Sequence, residues 1–119
     1  MKKLFYYIDI CILLSKEEKA FEKIRRCLYI FEENKDSLFI VWAIPKAMRK
    51  DLSLLNADVA KGFETILECF QKREIGEIIE TDDLLSVLLT CDAYYGDCSD
   101  LLYHAKKKGI PAMIEDVNL

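Results

Sequence analysis

The chain has 119 residues, of which 52% are hydrophobic and 32% are charged, and its net charge is -4. This length and hydrophobic content are enough for one domain over residues 1–119 with its own core, and they exclude a largely disordered chain. The acidic balance and the dispersed lysines and arginines exclude a nucleic-acid-binding surface, which needs clustered positive charge.

The cysteine pattern and the N-terminal stretch indicate a cytoplasmic protein. Five cysteines occur, without a Cys-x-x-Cys pair: Cys11, Cys27, Cys69, Cys91 and Cys98. An odd number at this spacing predicts neither a disulfide framework nor a zinc site, and we interpret the thiols as reduced core residues. The apolar run Leu4–Leu14 is interrupted by Asp9 and lacks a signal-peptide cleavage site. No stretch has the roughly 20 apolar residues needed to cross a membrane.

The first predicted strand is Leu4–Ile10, a nearly continuous apolar run that is typical of a strand buried on both faces of a parallel sheet. Asp9 is the exception within it. Ser15–Glu18 has the form of a capping box and predicts the start of a helix, which runs to about Glu33. The inward positions of this helix repeat at helical spacing: Ala20, Phe21, Ile24, Cys27, Leu28 and Phe31.

The second predicted strand is Leu38–Ile44, and Pro45 ends its hydrogen-bonding ladder. One helical pattern then continues as far as Lys72 and Arg73. Its apolar positions are Leu52, Leu55, Val59, Phe63, Ile66, Leu67 and Phe70. Gly62 within this helix costs about 1 kcal/mol relative to alanine, which predicts tight packing at that position.

The third predicted strand, Ile75–Ile79, is short, and Gly76 weakens it. Thr81 is predicted to cap the next helix, with Asp82 and Asp83 in the first turn. Two adjacent carboxylates can be metal ligands, but acidic residues also favour the positive end of a helix, and capping is the preferred interpretation. The inward positions of this helix are Leu84, Leu85, Val87, Leu88 and Cys91.

The fourth predicted strand is Asp92–Tyr95, and Gly96 is predicted to turn the chain after it. Asp97 is predicted to cap a last helix, which Lys106–Gly109 closes. The last strand is Ile110–Ile114. The elements therefore alternate, which predicts an α/β fold: a doubly wound, Rossmann-like, five-stranded parallel sheet with helices on both faces.

The expected strand order is 3-2-1-4-5, and Pro111 suits the last strand to the edge of the sheet. Doubly wound sheets bind ligands outside the carboxyl ends of the strands, at the point where the strand order reverses. In this chain that point brings Cys11–Ser15 next to Tyr95–Ser99. Topology thus predicts where a crevice lies, although it does not predict the ligand.

The start of the last helix has two interpretations. Free amides and the helix dipole would attract a phosphate, with the Ser99 hydroxyl as a further donor. Alternatively, Asp97 and Asp100 cap the helix themselves and repel a free anion, and the residue pattern alone favours this second interpretation. Tyr94 and Tyr95 could stack on a base, although strand alternation places one of them in the core.

Two motifs near the C-terminus are specific. Cys91–Asp100 has the sequence Cys-Asp-Ala-Tyr-Tyr-Gly-Asp-Cys-Ser-Asp, and Gly109–Ile114 has the sequence Gly-Ile-Pro-Ala-Met-Ile. Through them the chain from Leu4 onward resembles the nucleotide-binding, C-terminal lobe of two-lobed GT-B glycosyltransferases related to CDP-glycerol glycerophosphotransferases. Members of that family commonly have Ser-Asp-Ala-Tyr-Tyr-Gly-Asp-x-Ser-Ser and Gly-Lys-Pro-Val-Met-Ile at these places.

The resemblance implies a lobe that receives the nucleotide diphosphate of an activated sugar or alditol donor at the last helix. The residues expected at the nucleotide are Tyr95, Gly96, Asp97, Ser99 and Asp100. It also moves the interpretation of Ser99 toward a phosphate contact. No cofactor and no metal ion are expected.

The chain departs from the family where the second strand ends. Family members usually have Trp-Arg-Pro-His-Pro there, with Arg and His expected to act on the donor phosphates, whereas Val41–Pro45 is Val-Trp-Ala-Ile-Pro. Asp100 replaces the second serine of the family motif. His104, the only histidine, lies past the first turn of the last helix, which favours a partly exposed structural role. No catalytic residue is therefore predicted.

Together these observations predict a stand-alone, degenerate donor-binding lobe that binds a nucleotide or nucleotide-sugar weakly and is inactive alone. The alternative is a non-catalytic protein-interaction module or one half of a split glycosyltransferase. No N-terminal lobe is recognised in the chain. A lobe without its partner exposes its cleft-facing surface, which predicts a homodimer or binding to a separate N-terminal lobe.

Overall fold

The structure, a computed structural model, describes residues 1–114. Within them, five parallel strands form one sheet: β1 (Lys2–Tyr7), β2 (Leu38–Ile44), β3 (Gly76–Glu80), β4 (Ala93–Gly96) and β5 (Ala112–Ile114). The strand order is β3-β2-β1-β4-β5. The predicted fold class and strand order are confirmed, and residues 115–119 of the predicted domain lie outside the described residues.

Helices cover both faces of the sheet, as predicted. In the described chain they are α1 (Ile10–Lys16), α2 (Glu18–Glu33), α3 (Met48–Leu55), α4 (Ala57–Arg73), α5 (Leu84–Leu88) and α6 (Leu101–Lys107). Strand alternation directs Tyr6 and Trp42 toward α1–α4, and Phe5 and Val41 toward α5 and α6. All four side chains are buried, which explains why the strands have apolar runs rather than alternating patterns. No helix in residues 1–114 has the length and apolar character that a membrane span requires.

The sheet is left open at one corner. On the side that faces α1–α4, a hollow of about 260 Å³ at β4 and β5 is lined by Leu4, Ala93, Tyr95 and Met113, among others. Met113 is 65% exposed. On the opposite face α6 contacts β5. All three residues of β5 are nevertheless exposed, with Ile114 at 56%, so this edge strand is open to solvent.

The connection from β1 to α2 differs from the prediction. β1 starts at Lys2, before the predicted Leu4, and ends at Tyr7 instead of Ile10. It ends early because Asp9 caps α1, where its carboxylate accepts a hydrogen bond from the Cys11 amide at 2.7 Å. The predicted capping box Ser15–Glu18 is wrong. Ser15 lies inside α1, and no side chain caps α2. Glu17 separates the two helices with a φ of +49°.

The long helix predicted after β2 is two helices, α3 and α4. Asn56 separates them, and its side-chain oxygen accepts a hydrogen bond from the Val59 amide at 3.2 Å. This cap starts a new helix because it satisfies one of the free amides of the first turn. At Gly62, an added Cβ would lie 2.7 Å from the Phe21 ring of α2. The predicted tight packing at this glycine is confirmed.

The stretch from β3 to α5 also differs from the prediction. A Cβ on Gly76 would lie 1.8 Å from the Ile40 carbonyl oxygen, so this glycine permits the pairing of β3 with β2 instead of weakening the strand. Asp83, not Thr81, caps α5, since its carboxylate accepts a hydrogen bond from the Ser86 amide at 3.2 Å. Thr81 instead accepts a hydrogen bond from the amide of Asp83.

Candidate functional site

The carboxyl ends of β1 and β4 lie side by side where the strand order reverses, as topology predicts. Tyr7 is in register with Gly96, and the amide of Asp97 donates a hydrogen bond to the Tyr7 carbonyl at 2.9 Å. The chain after β1 enters α1, and the chain after β4 leads toward α6. This pair of strand ends is the position at which doubly wound sheets bind ligands.

Gly96 is the last residue of β4, so the predicted turn residue belongs to the strand. Its φ is +142°, and an added Cβ would lie 2.0 Å from the Tyr7 carbonyl oxygen. Both the dihedral angle and the close approach of the two backbones require glycine. The backbone of β4 is thereby held against β1 at the floor of the crevice.

Asp97 is a buried acidic residue, only 4% exposed. Its carboxylate accepts a hydrogen bond from the Asp9 amide at 2.7 Å and so ties the end of β4 to the start of α1. The prediction that Asp97 caps the last helix is therefore wrong. The first helical residue of α6 is Leu101, and the Asp97 side chain is directed at the start of α1, not at α6.

The crevice floor is acidic. Burial raises the pKa of Asp97 to about 6, against the opposing effect of the hydrogen bond from the Asp9 amide, and the Asp9 carboxylate adds to the rise. Burial, followed by repulsion from Asp9 and Asp97, raises the pKa of Tyr7 to about 12. The same charges that disfavour a tyrosinate here also oppose a phosphate at this floor.

The loop between β4 and α6 is held by the Tyr94 hydroxyl. This hydroxyl donates a hydrogen bond to the Asp97 carbonyl and lies 3.0 Å from the Ser99 hydroxyl. Ser99 Oγ also accepts a hydrogen bond from the Leu101 amide at 3.2 Å. Ser99 is thus the side chain that satisfies the start of α6, because Asp100, at the cap position, makes no side-chain capping bond.

Three consecutive backbone amides of this loop are unused. The amides of Cys98, Ser99 and Asp100 donate no hydrogen bond within residues 1–114. The helix that follows has only seven residues, and its dipole is correspondingly weak. The loop amides, more than the helix, are therefore the candidate donors to an anion beside the strand ends.

The two tyrosines of the motif face opposite sides of the sheet. Tyr94 is 1% exposed and stacks on Phe5, with 5.6 Å between ring centroids. Tyr95 is half-buried against Tyr6 and Phe31. Both rings belong to the packing of the sheet. A contact between Tyr95 and a nucleotide stays a prediction.

Arg49 is a cation near the end of β2 that the sequence pattern does not predict at this site. Its Nε donates to Glu64 at 2.8 Å, and its guanidinium also donates to Glu80 at 2.6 Å. These two carboxylates raise its pKa. Because they occupy the guanidinium, Arg49 does not replace the arginine that the resembled family has at the end of this strand.

Two exposed thiols lie on either side of the crevice. Cys11 and Cys98 are exposed, so the prediction that the cysteines belong to the core is wrong for these two. It is confirmed for Cys27 and Cys91, which are buried, and Cys69 is half-buried. The neighbouring carboxylate of Asp9 raises the pKa of Cys11, which makes this thiol a poor nucleophile.

The remaining polar candidates have structural contacts. His104 is half-buried on α6, as predicted, and makes an edge contact with Tyr103 at 5.5 Å between ring centroids. Its structural role stays a prediction. Hydrogen bonds from the hydroxyl and the amide of Ser86 lower the pKa of Asp83. Within the described part of the chain, no group of three or more His, Cys, Asp or Glu side chains could hold a metal ion.

Comparison with known proteins assigns the chain to no family. The chain matches no family model and no curated protein sequence. It is similar to a solved structure, a domain of a functionally unknown protein from Methanocaldococcus jannaschii DSM 2661, at 13% identity and a TM-score of 0.49. The match covers 98% of this chain and 92% of that chain.

Proposed function

We propose that this chain is a degenerate donor-binding lobe, similar to that of glycosyltransferases related to CDP-glycerol glycerophosphotransferases, and that it binds a nucleotide or nucleotide-sugar weakly. The observation that carries the proposal is the run of unused amides at Cys98–Asp100, beside the carboxyl ends of the central strands. Successive free amides are a common way for backbone to bind phosphate. The sequence likeness over Cys91–Asp100 supports the same position.

The binding is weak and transfer is absent because, within the described residues, the two segments that flank the crevice, Cys11–Ser15 and Tyr95–Ser99, contain no Lys, Arg or His. Val41–Pro45 contains neither Arg nor His, and the Arg49 guanidinium is occupied by two glutamates. The carboxylates of Asp9, Asp97 and Asp100 add repulsion. A phosphate loses water on binding and needs charged donors in return, and a departing nucleotide needs them more.

The five free cysteines support a cytoplasmic location.

Titration with CDP, UDP and their sugar conjugates tests this proposal. Followed by amide NMR, binding should shift the signals of Cys98–Asp100, with a Kd in the high-micromolar range or weaker. Asp100→Ser removes a negative charge next to the unused amides and should tighten binding about fivefold. The affinity is measured for both proteins under the same low-salt conditions, since screening would reduce the difference.

Asp58→Ser is the matched control. Asp58 lies in the first turn of α4, so this variant loses the same charge from a comparable position at another helix and should bind like the unchanged protein. Absence of shifts at Cys98–Asp100 in both the unchanged protein and Asp100→Ser would overturn the proposal. Sub-micromolar affinity would contradict the degenerate state.

The second candidate function is an interaction module or one half of a split enzyme. The open face of β4 and β5 favours it, because Met113 is 65% exposed there whereas parallel sheets are normally covered on both faces. A covering lobe would bury this methionine. If the titration detects no nucleotide binding, the open face of β4 and β5 makes this second candidate the better one.

A further inference from the structure

The face of α2 that points away from the core carries an exposed apolar pair. Tyr29 is 58% exposed and Ile30 is 54% exposed. Arg26 and Glu33, both exposed, lie one turn before and one turn after this pair. At 3.6 residues per turn these four residues form one stripe. The buried residues of α2 lie on the other side of the helix: Ala20, Phe21, Ile24, Cys27, Leu28 and Phe31.

The two charges of this stripe are unpaired. Arg25 has a partner in Glu18 on the same helix, and Glu32 pairs with an arginine of α4. In contrast, the side chains of Arg26 and Glu33 make no ion pair or hydrogen bond within the described residues. One free cation and one free anion therefore stand at the two ends of the apolar pair.

The stripe on one copy of α2 is complementary to the same stripe on a second, antiparallel copy. In an antiparallel pair of α2 helices, a twofold axis between residues 29 and 30 places Tyr29 of each copy against Ile30 of the other. The same axis places Arg26 against Glu33. Symmetry repeats each contact, so an apolar centre is flanked at both ends by an ion pair. A stripe with like charges at its two ends would lack this property.

The surface also has a shape for this contact. An open hollow of about 420 Å³ is lined by Arg25, Arg26, Tyr29 and Ile30. In the antiparallel pair, the Tyr29 ring of the second copy is the group placed at this hollow. Tyrosine and arginine are the side chains that most often contribute strongly to protein interfaces.

We propose that α2 is a self-association surface, through which two copies of this chain form an antiparallel dimer with Tyr29 and Ile30 at its centre and Arg26–Glu33 ion pairs at its ends. The charge pattern identifies the occupant as a second copy, since it matches itself. One helix pair buries less than the roughly 1,200 Å² of a standard interface, so the dimer is weak. α2 leads back to the start of β2, and its last turns lie away from the crevice. The proposal is thus independent of nucleotide binding.

Charge exchange tests the dimer. Sedimentation of the full chain from low-micromolar to millimolar concentration should show a monomer–dimer equilibrium. Arg26→Glu places a carboxylate opposite Glu33, and Glu33→Arg places a guanidinium opposite Arg26. Each single variant should self-associate at least about tenfold more weakly. An equimolar mixture of the two variants should dimerise again, and so should the double variant, because every contact then joins opposite charges.

Lys50→Glu, a charge reversal on exposed α3, should leave the equilibrium unchanged. Thermal unfolding verifies that each variant is folded, as expected for exposed positions. The proposal is overturned by a chain that stays monomeric at all concentrations. It is equally overturned by a dimer that survives both single variants, or by single variants whose mixture does not associate.

Discussion

Gly96→Ala is expected to lower the free energy of unfolding by about 4 kcal/mol, or to prevent folding, because two penalties coincide at this position. The φ of +142° is one that side chains rarely adopt, at a cost of about 1–3 kcal/mol. The added Cβ would also meet the Tyr7 carbonyl oxygen at 2.0 Å. This oxygen belongs to the backbone, so it can move only if β1 and β4 separate. Urea unfolding followed by circular dichroism measures the loss.

Two other glycines separate the penalties. Gly109 has a φ of +72° and no atom near an added Cβ, so Gly109→Ala should lose only about 1 kcal/mol from strain. Gly76→Ala tests the clash, since its Cβ would lie 1.8 Å from the Ile40 carbonyl oxygen. A Gly96→Ala protein as stable as Gly109→Ala would show that the ends of β1 and β4 separate easily. That result would contradict the close approach of Gly96 to the Tyr7 carbonyl.

The sequence predicted the buried parts of the fold well, because burial is recorded directly in the apolar pattern. The second strand was predicted at Leu38–Ile44, where β2 lies. The inward face predicted for the helix that became α2, from Ala20 to Phe31, is the face that the core contains. In both cases each position reports its own environment, and no knowledge of distant residues is needed.

Polar positions were predicted less well, because their partners are distant in the chain. Local spacing predicts that Asp97 caps the nearest helix, whereas its hydrogen-bond partner, Asp9, is 88 residues away. Gly76 looked like a weak point in a strand, and only the pairing with Ile40 shows why it is glycine. The apolar pattern does not predict the cap at Asn56, because the apolar spacing continues in phase through the break between α3 and α4.

The candidate site shows the same division. Topology placed the crevice at Tyr95–Ser99 and next to the start of α1, because strand order follows from the alternation of elements. The charge of the crevice depends on the direction in which each side chain points, and the sequence pattern does not predict that direction. The Asp97 carboxylate turns toward the start of α1 and leaves the start of α6 to Ser99. The amides of the loop therefore stay unused, next to a buried carboxyl.

This buried carboxyl makes stability fall as pH rises. The pKa of Asp97 is about 6 in the folded chain against 3.8 for an unperturbed aspartate. Between about pH 4 and pH 6 the unfolded chain releases this proton before the folded chain does, so ionisation favours unfolding. The stabilising contribution is complete below about pH 4 and is lost above about pH 6. The difference between the two pKa values corresponds to about 3 kcal/mol.

Asp97→Asn should therefore raise the free energy of unfolding by about 2 kcal/mol at neutral pH, because the amide oxygen can still accept the hydrogen bond from Asp9 without a buried charge. Urea unfolding of both proteins over a pH series measures the effect, and their difference cancels the contributions of the other carboxyls. The difference should shrink as pH falls from about 6 to about 4.

Asp92→Asn is the matched control, since Asp92 accepts a hydrogen bond from the Lys3 amide at 2.8 Å but is exposed. This variant should not stabilise the protein. A difference between Asp97→Asn and the unchanged protein that stays constant with pH would assign the effect to hydrogen-bond geometry and contradict the role of ionisation.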